Sequence, residues 1–115
     1  MILKEIEKCN IGDVLRSVLA SHERTTFAID DNSKLVGVFS EGDLLRLLWK
    51  GVDIESPASA YLNHNPFFIL ESSTNKNKEA INLFIKHGLV LVPVIDSERK
   101  LIEVLSIRTI ISGSF

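Results

Sequence analysis

Apolar residues along this chain change spacing in a way that marks out its elements. Val14, Leu15, Val18 and Leu19 recur at the i, i+1, i+4, i+5 spacing that lines one side of a helix, which predicts a helix over 11–21. Two short runs rich in β-branched and aromatic residues follow, predicting strands over 25–29 and 35–39. Between them Asp30-Asp31-Asn32-Ser33-Lys34 is polar and has the chemistry of a hairpin turn. A second helix is predicted over 41–50, ending at Gly51, a residue suited to a helix C-terminus.

The pattern then returns. Ile29-Asp30-Asp31-Asn32-Ser33-Lys34-Leu35-Val36-Gly37-Val38-Phe39-Ser40 aligns without a gap on the segment that starts 66 positions later, at Ile95, and ends at Ser106. Six of the twelve positions are identical, and the helical spacing carries over too: Val14, Leu15, Val18 and Leu19 fall on Ala80, Ile81, Phe84 and Ile85. Leu44 and Leu45 fall on Ile110 and Ile111. A repeat that keeps both identities and periodicity implies two copies of one structural unit, each burying an apolar face that it could not bury alone.

Each copy reads as helix, strand, turn, strand, helix. In the second, Asn65-Pro66-Phe67-Phe68-Ile69-Leu70 supplies a leading strand, a helix follows over 77–87 and stops at Gly88, strands cover 90–95 and 101–105, and a last helix begins over 108–111. Repeat one therefore runs over about 1–51, a connector over 52–64, and repeat two over about 65–115.

Composition narrows the function. A chain of 115 residues has room for one ordinary core, and 45% hydrophobic against 24% charged residues is the balance of a globular domain. The net charge of −2 is built from interspersed acids and bases with no basic stripe, so no nucleic-acid partner is expected. The longest apolar run, Leu89-Val90-Leu91-Val92-Pro93-Val94-Ile95, is far short of a membrane span. The charged amino terminus does not read as a signal peptide, so no membrane partner and a cytoplasmic location are expected. Cys9 is the single cysteine and makes neither an internal disulfide nor a thiolate metal site. His22, His64 and His87 lack metal-ligand spacing, and no phosphate loop, nucleophile elbow or Cys–His pair is present. The expectation is a protein that binds, with no metal, no catalytic residues and no enzyme activity. Trp49 is expected in the core or at a subunit interface.

Two stretches resemble a known family. Val90-Leu91-Val92-Pro93-Val94-Ile95-Asp96 is similar to the strand of the cystathionine-β-synthase (CBS) domain that ends in Pro-Val-Val-Asp. Lys34-Leu35-Val36-Gly37-Val38-Phe39-Ser40-Glu41-Gly42-Asp43-Leu44-Leu45 is similar to its Lys-Leu-Val-Gly-Ile-Ile-Thr-x-x-Asp-Leu. The resemblance covers essentially the whole chain and implies an α/β (α+β) fold. It consists of two β-α-β-β-α CBS motifs packed about a pseudo-twofold axis, a Bateman module. Glu41-Gly42-Asp43-Leu44-Leu45-Arg46, Lys50-Gly51, Ser56-Pro57-Ala58 and Asn65-Pro66 are further similar to the CBS pair that precedes some sugar-phosphate nucleotidyltransferases. That likeness implies a regulatory amino-terminal piece, with a nucleotidyltransferase fused to it or associated with it.

Such pairs bind adenine nucleotides in clefts between the copies. The resemblance assigns nucleotide binding to Ser40, Gly42 and Asp43, the hydroxyl near phosphate and the carboxylate on the ribose diol. The residue chemistry agrees: a carboxylate accepts two hydrogen bonds and a helix amino terminus offers N–H groups to an anion. Ser-x-x-Asp before an apolar helix is equally a capping box that needs no ligand, and both readings stand at this point. Phe67, Phe68, Val90, Leu91 and Pro93 would form the purine wall, although Phe67 and Phe68 taken individually read first as ordinary core residues. A weaker second cleft would draw on Arg24, Thr25, Thr26, Ser106, Arg108 and Thr109, with Thr109 standing where Asp43 stands in the first copy. No resident cofactor is expected; the regulatory ligand implied is AMP or another adenosine derivative. Val90 and Leu91 replace basic residues of family members that hold di- or triphosphates, which favours a monophosphate, a nucleoside or no ligand. The family also implies a homodimer through helices. The alternative function is a ligand-free dimerisation or interaction module with degenerate clefts.

Overall fold

A computed structural model describes residues 2–114, and the chain divides into two compact units, Met1–Pro66 and Phe67–Phe115. The first unit holds strand β1 (Ile2–Leu3), helix α1 (Ile11–Ala20), strands β2 (Thr25–Ile29) and β3 (Leu35–Ser40), and helix α2 (Glu41–Trp49). Its sheet runs β1-β2-β3, with β1 parallel and β3 antiparallel to β2. The apolar sides of α1 and α2 meet this sheet, burying Val14, Val18, Ala28, Phe39 and Leu44 with Ile6, Ile11, Ala58 and Leu62.

The second unit repeats the plan: β4 (Ile69–Leu70), α3 (Lys76–His87), β5 (Leu91–Ile95), β6 (Leu101–Ser106) and α4 (Ile107–Ser114), with sheet order β4-β5-β6. Its core gathers Ile69, Ala80, Phe84, Val92, Val94 and Ile110. The chain is thus an α/β protein of two like motifs, each a three-stranded sheet with helices.

The repeat extends to single hydrogen bonds. Asp30 Oδ1 accepts from the Asn32 and Lys34 amides, and Asp96 Oδ1 from those of Glu98 and Lys100. Both turns place a non-glycine residue in the left-handed region, Ser33 at φ 65° and Arg99 at φ 68°. Both hairpins carry a register shift at the same place, Ala28/Ile29 and Val94/Ile95. Gly51, at φ 82°, ends α2 in a Schellman arrangement, its amide bonded to the Leu48 carbonyl and that of Val52 to Leu47.

The first copy has the leading strand that the β-α-β-β-α plan implies: Ile2–Leu3, two residues among charges too short to show periodicity, pair with Phe27 and Ala28. Two expectations in the second copy are corrected. In the second copy the leading strand shrinks to Ile69–Leu70. Its ladder pairs Ile69 with Val94, so one step back Phe68 would meet Pro93, which has no N–H to give. Val90 lies just before β5, not in it. The connector is also tied to the first unit, through Ile11 and Gly12 amides to Ser56 and Ile54 carbonyls and through a bridge between Val38 and Asn63. Gly37 is required there, since a Cβ would drive into the Asn63 carbonyl and the Leu62 side chain.

Candidate functional site: the open end of helix α2

Ser40 ends β3 and caps α2. Its hydroxyl accepts from the Asp43 amide at 3.2 Å, and Asp43 Oδ2 accepts from the Ser40 amide at 2.9 Å, a complete capping box. The Ser40 hydroxyl also donates to Asp43 Oδ2 at 2.8 Å, and Arg46 Nη2 reaches Oδ1 at 2.6 Å. The capping reading of Ser-x-x-Asp is therefore realised, and the Ser40 proton is already directed at Asp43.

A second copy of this box, not singled out in the sequence reading, shows what distinguishes the first. Asn10-Ile11-Gly12-Asp13 caps α1 with the same reciprocal bonds, and Arg16 pairs with Asp13 as Arg46 does with Asp43. The shared x-Gly-Asp-x-Leu-Arg at 11–16 and 41–46 was the available signal. At α1 every early amide is satisfied: Ile11 by Ser56, Gly12 by Ile54 at 2.8 Å, Asp13 by Asn10. At α2 the Glu41 amide bonds to the Arg24 carbonyl and Asp43 to Ser40, while the Gly42 N–H takes no acceptor among the described residues. One helix start is closed by protein; the other keeps a donor open.

Gly42 itself is not demanded by packing, because a Cβ there would meet only the Arg46 guanidinium and Ser40 hydroxyl at 3.5 Å and beyond. Beside the helix start stands Arg24, held at φ 52°, with Nε 4.0 Å from the Glu41 carboxylate and Nη1 on the Leu19 carbonyl. Thr25 pairs directly with Ser40 across the β2–β3 ladder. Arg24 and Thr25, grouped from the sequence with the weaker second cleft, thus also neighbour Glu41 and Ser40 within their own unit, a relation that hairpin pairing sets. Thr26 is buried and bonded to the Ser17 hydroxyl at 2.7 Å. On the other flank of Asp43 an open cavity of about 170 Å³ is lined by Asp43, Arg46, Leu47, Lys50, Tyr61, Leu62 and Asn63.

In the second unit Ser106 and Thr109 occupy the matching positions and bond to each other, 2.6 Å between hydroxyl oxygens, with no carboxylate. The Val90 carbonyl takes the Ile107 amide, as Arg24 takes that of Glu41. Arg108 is exposed. Leu91 and Pro93 are buried on the sheet face opposite Val92 and Val94. Phe67 and Phe68 are not core: they are 46% and 41% exposed. Phe67 stacks on the His87 ring at 4.1 Å, and the Arg99 guanidinium lies 5.5 Å from the Phe68 ring. Trp49 is 91% exposed, so its core reading fails.

Among the described residues no three His, Cys, Asp or Glu side chains are grouped to hold a metal ion, and no helix is long and apolar enough to cross a membrane. The Cys9 thiol is raised above its ordinary range, first by partial burial and then by Asp13, Glu7 and Glu5.

Two three-stranded motifs with a capped last helix define a tandem CBS pair. The CBS domain model matches residues 7–50 and 58–114, and the chain belongs to that family. An uncharacterized protein of Helicobacter pylori is 30% identical over 72% of this chain, and an uncharacterized 17.7 kDa protein of Acidianus ambivalens is 25% identical over 91% of it. The chain spans only 25% and 55% of those relatives' lengths. Among solved structures, CBSX2 in complex with AMP superposes with a TM-score of 0.80 at 24% identity, covering 99% of this chain and 86% of that one. An AMP complex of a CBS domain protein from Pyrobaculum aerophilum gives 0.71 at 25% identity, covering 94% and 80%.

Proposed function

We propose that this CBS pair is a regulatory, non-catalytic module that senses an adenine nucleotide or nucleoside through the open end of α2. The Gly42 N–H and the Arg24 guanidinium face a single phosphate, a helix amino terminus favouring an anion. Asp43 meets the ribose diol, and Ser40 holds Asp43 in place. Phe67, Phe68, Val90, Leu91 and Pro93 are the proposed contacts of the base. Val90 and Leu91 supply no charge for further phosphates, which favours AMP or adenosine over ATP. A second, weaker site with Ser106, Arg108 and Thr109 would lack the ribose carboxylate.

The observation that carries this reading is the contrast between two like helix starts. The α1 start is closed by the Ile54 carbonyl, and the α2 start is left open at Gly42. No connector covers the α2 start among the described residues, so its free N–H stays available to an anion. The AMP complexes of CBSX2 and the Pyrobaculum protein support the same ligand class. Melting curves with millimolar AMP, ADP, ATP, adenosine and S-adenosylmethionine test it. A ligand at 100 times its dissociation constant adds about 2.7 kcal/mol, a rise of several degrees for a chain this size. The rise should vanish in Asp43→Ala; no rise with any of the five would defeat the reading.

A second reading, an interaction module, is favoured by apolar residues left in solvent on helix surfaces, Leu45, Trp49 and Ile85 among them. In the combined proposal these faces form a cytoplasmic homodimer, and ligand occupancy biases an attached or associated enzyme such as a nucleotidyltransferase. A stop codon directly after Phe115 in the genomic reading frame would remove the fused form of that idea.

A further inference from the structure

We infer that Arg46 competes with the ribose for Asp43, so that exchange of one ion pair gates ligand binding at the α2 site. The inference rests on the nucleotide reading above and names its regulation. Asp43 Oδ2 accepts from both the Ser40 amide and the Ser40 hydroxyl, at 2.9 and 2.8 Å, which uses both its lone pairs. Oδ1 takes Arg46 Nη2 at 2.6 Å and keeps one lone pair. A vicinal diol brings two O–H donors. With Arg46 in place and the Ser40 hydroxyl kept on Oδ2, the carboxylate can accept one of them, and the second bond then needs the guanidinium to withdraw.

Geometry makes that withdrawal feasible. The Arg46 and Asp43 side chains are 67% and 36% exposed, so the pair is solvent-screened and its loss shifts an equilibrium by only a few-fold. Arg46 also borders the open cavity of about 170 Å³ against Tyr61, Leu62 and Asn63, which leaves its side chain space to swing aside. Arg16 provides an internal control. It makes the same pair with Asp13 at a helix start whose Gly12 amide is already occupied by Ile54, so its removal touches stability alone.

The test is calorimetric titration of adenosine and 2′,3′-dideoxyadenosine into the wild-type chain, Arg46→Ala and Arg16→Ala, with Arg46→Gln as a second variant should Arg46→Ala fold poorly. The nucleoside is chosen because it isolates the ribose from the phosphate. Arg46→Ala should bind adenosine roughly two- to five-fold tighter than wild type, the range set by an exposed ion pair. Its affinity for the dideoxy compound should not rise, and Arg16→Ala should match wild type for both. Adenosine binding only after Arg46 is removed would be the same result in its strongest form. Equal or weaker adenosine binding by Arg46→Ala, with wild type binding normally, overturns the gate and leaves the nucleotide reading intact. Absence of adenosine binding by every variant overturns the gate, and the nucleotide reading falls with it only if AMP also fails to bind the wild-type chain.

Discussion

Asp13 and Asp43 stand 30 residues apart and do the same work: each carboxylate accepts from the amide of its cap residue and from an arginine three residues on, and each amide returns a bond to the cap. The difference lies outside the carboxylates, in what meets the glycine before them. Gly12 gives its N–H to Ile54, and Gly42 gives its N–H to no described residue. Stability and ligand recognition can therefore be separated by treating the two boxes alike. Asn10→Ala and Ser40→Ala should each cost about 1 kcal/mol, as loss of an N-cap does, and lower the melting temperature by several degrees. Only Ser40→Ala should also weaken AMP or adenosine binding, because only that cap holds the carboxylate proposed for the ribose. Equal ligand loss in both variants would mean that general softening is being read as recognition.

Gly37 and Gly42 should respond in opposite ways to alanine. At Gly37 the added methyl meets the Asn63 carbonyl and Leu62, so Gly37→Ala should cost roughly 1–3 kcal/mol as overpacking does. At Gly42 it meets only ordinary contacts, and alanine is favoured over glycine in a helix by about 0.5–1 kcal/mol. Gly42→Ala should therefore raise the melting temperature while weakening the ligand, since the methyl crowds the approach to the open N–H. Thermal melts with and without AMP read both effects. A stabilised Gly42→Ala that binds as wild type does would place the ligand elsewhere.

These glycines also show which parts of the molecule were legible in the sequence. The offset of 66 carried the helices and hairpins because those elements are written in local spacing, and the turn chemistry of Asp30 and Asp96 came through to individual hydrogen bonds. The Phe67-Phe68 run misled because apolarity alone does not make a strand; the ladder stops where Pro93 has no donor. Arg24 escaped for a different reason. Its approach to Glu41 follows from pairing Thr25 with Ser40, a hairpin relation set by register, which apolar spacing does not report. The contrast between Gly12 and Gly42 was not legible, because it depends on a connector carbonyl 42 residues downstream of Gly12 closing that helix start.

The α1 box carries a pH dependence of definite sign. The Asn10 amide, and after it Arg16, hold the Asp13 carboxyl below its ordinary value of 3.8. Folding therefore favours the ionised form, so the contribution is present above the unfolded value and fades as pH falls through the lower folded one. Wild type should melt higher than Asp13→Asn near neutral pH, with the gap closing below about pH 3.8. A gap that stayed constant to the lowest measurable pH would show that the cap uses the shape of the side chain and not its charge.

The exposed apolar side chains of α2 make the last prediction. Leu45 and Trp49 lie one turn apart and both stand in solvent, on a helix anchored to the core by buried Leu44. In the proposed homodimer they are covered by a second copy of the chain. Sedimentation of the wild-type chain should then give twice the 12.9 kDa monomer mass. A Leu45→Lys, Trp49→Lys variant should run as a folded monomer with its melting curve otherwise preserved, because neither side chain contributes to the core. Loss of ligand binding in that monomer would couple assembly to sensing. A wild-type chain that stays monomeric at high concentration would leave these residues for a different partner, and the dimer proposal would fail.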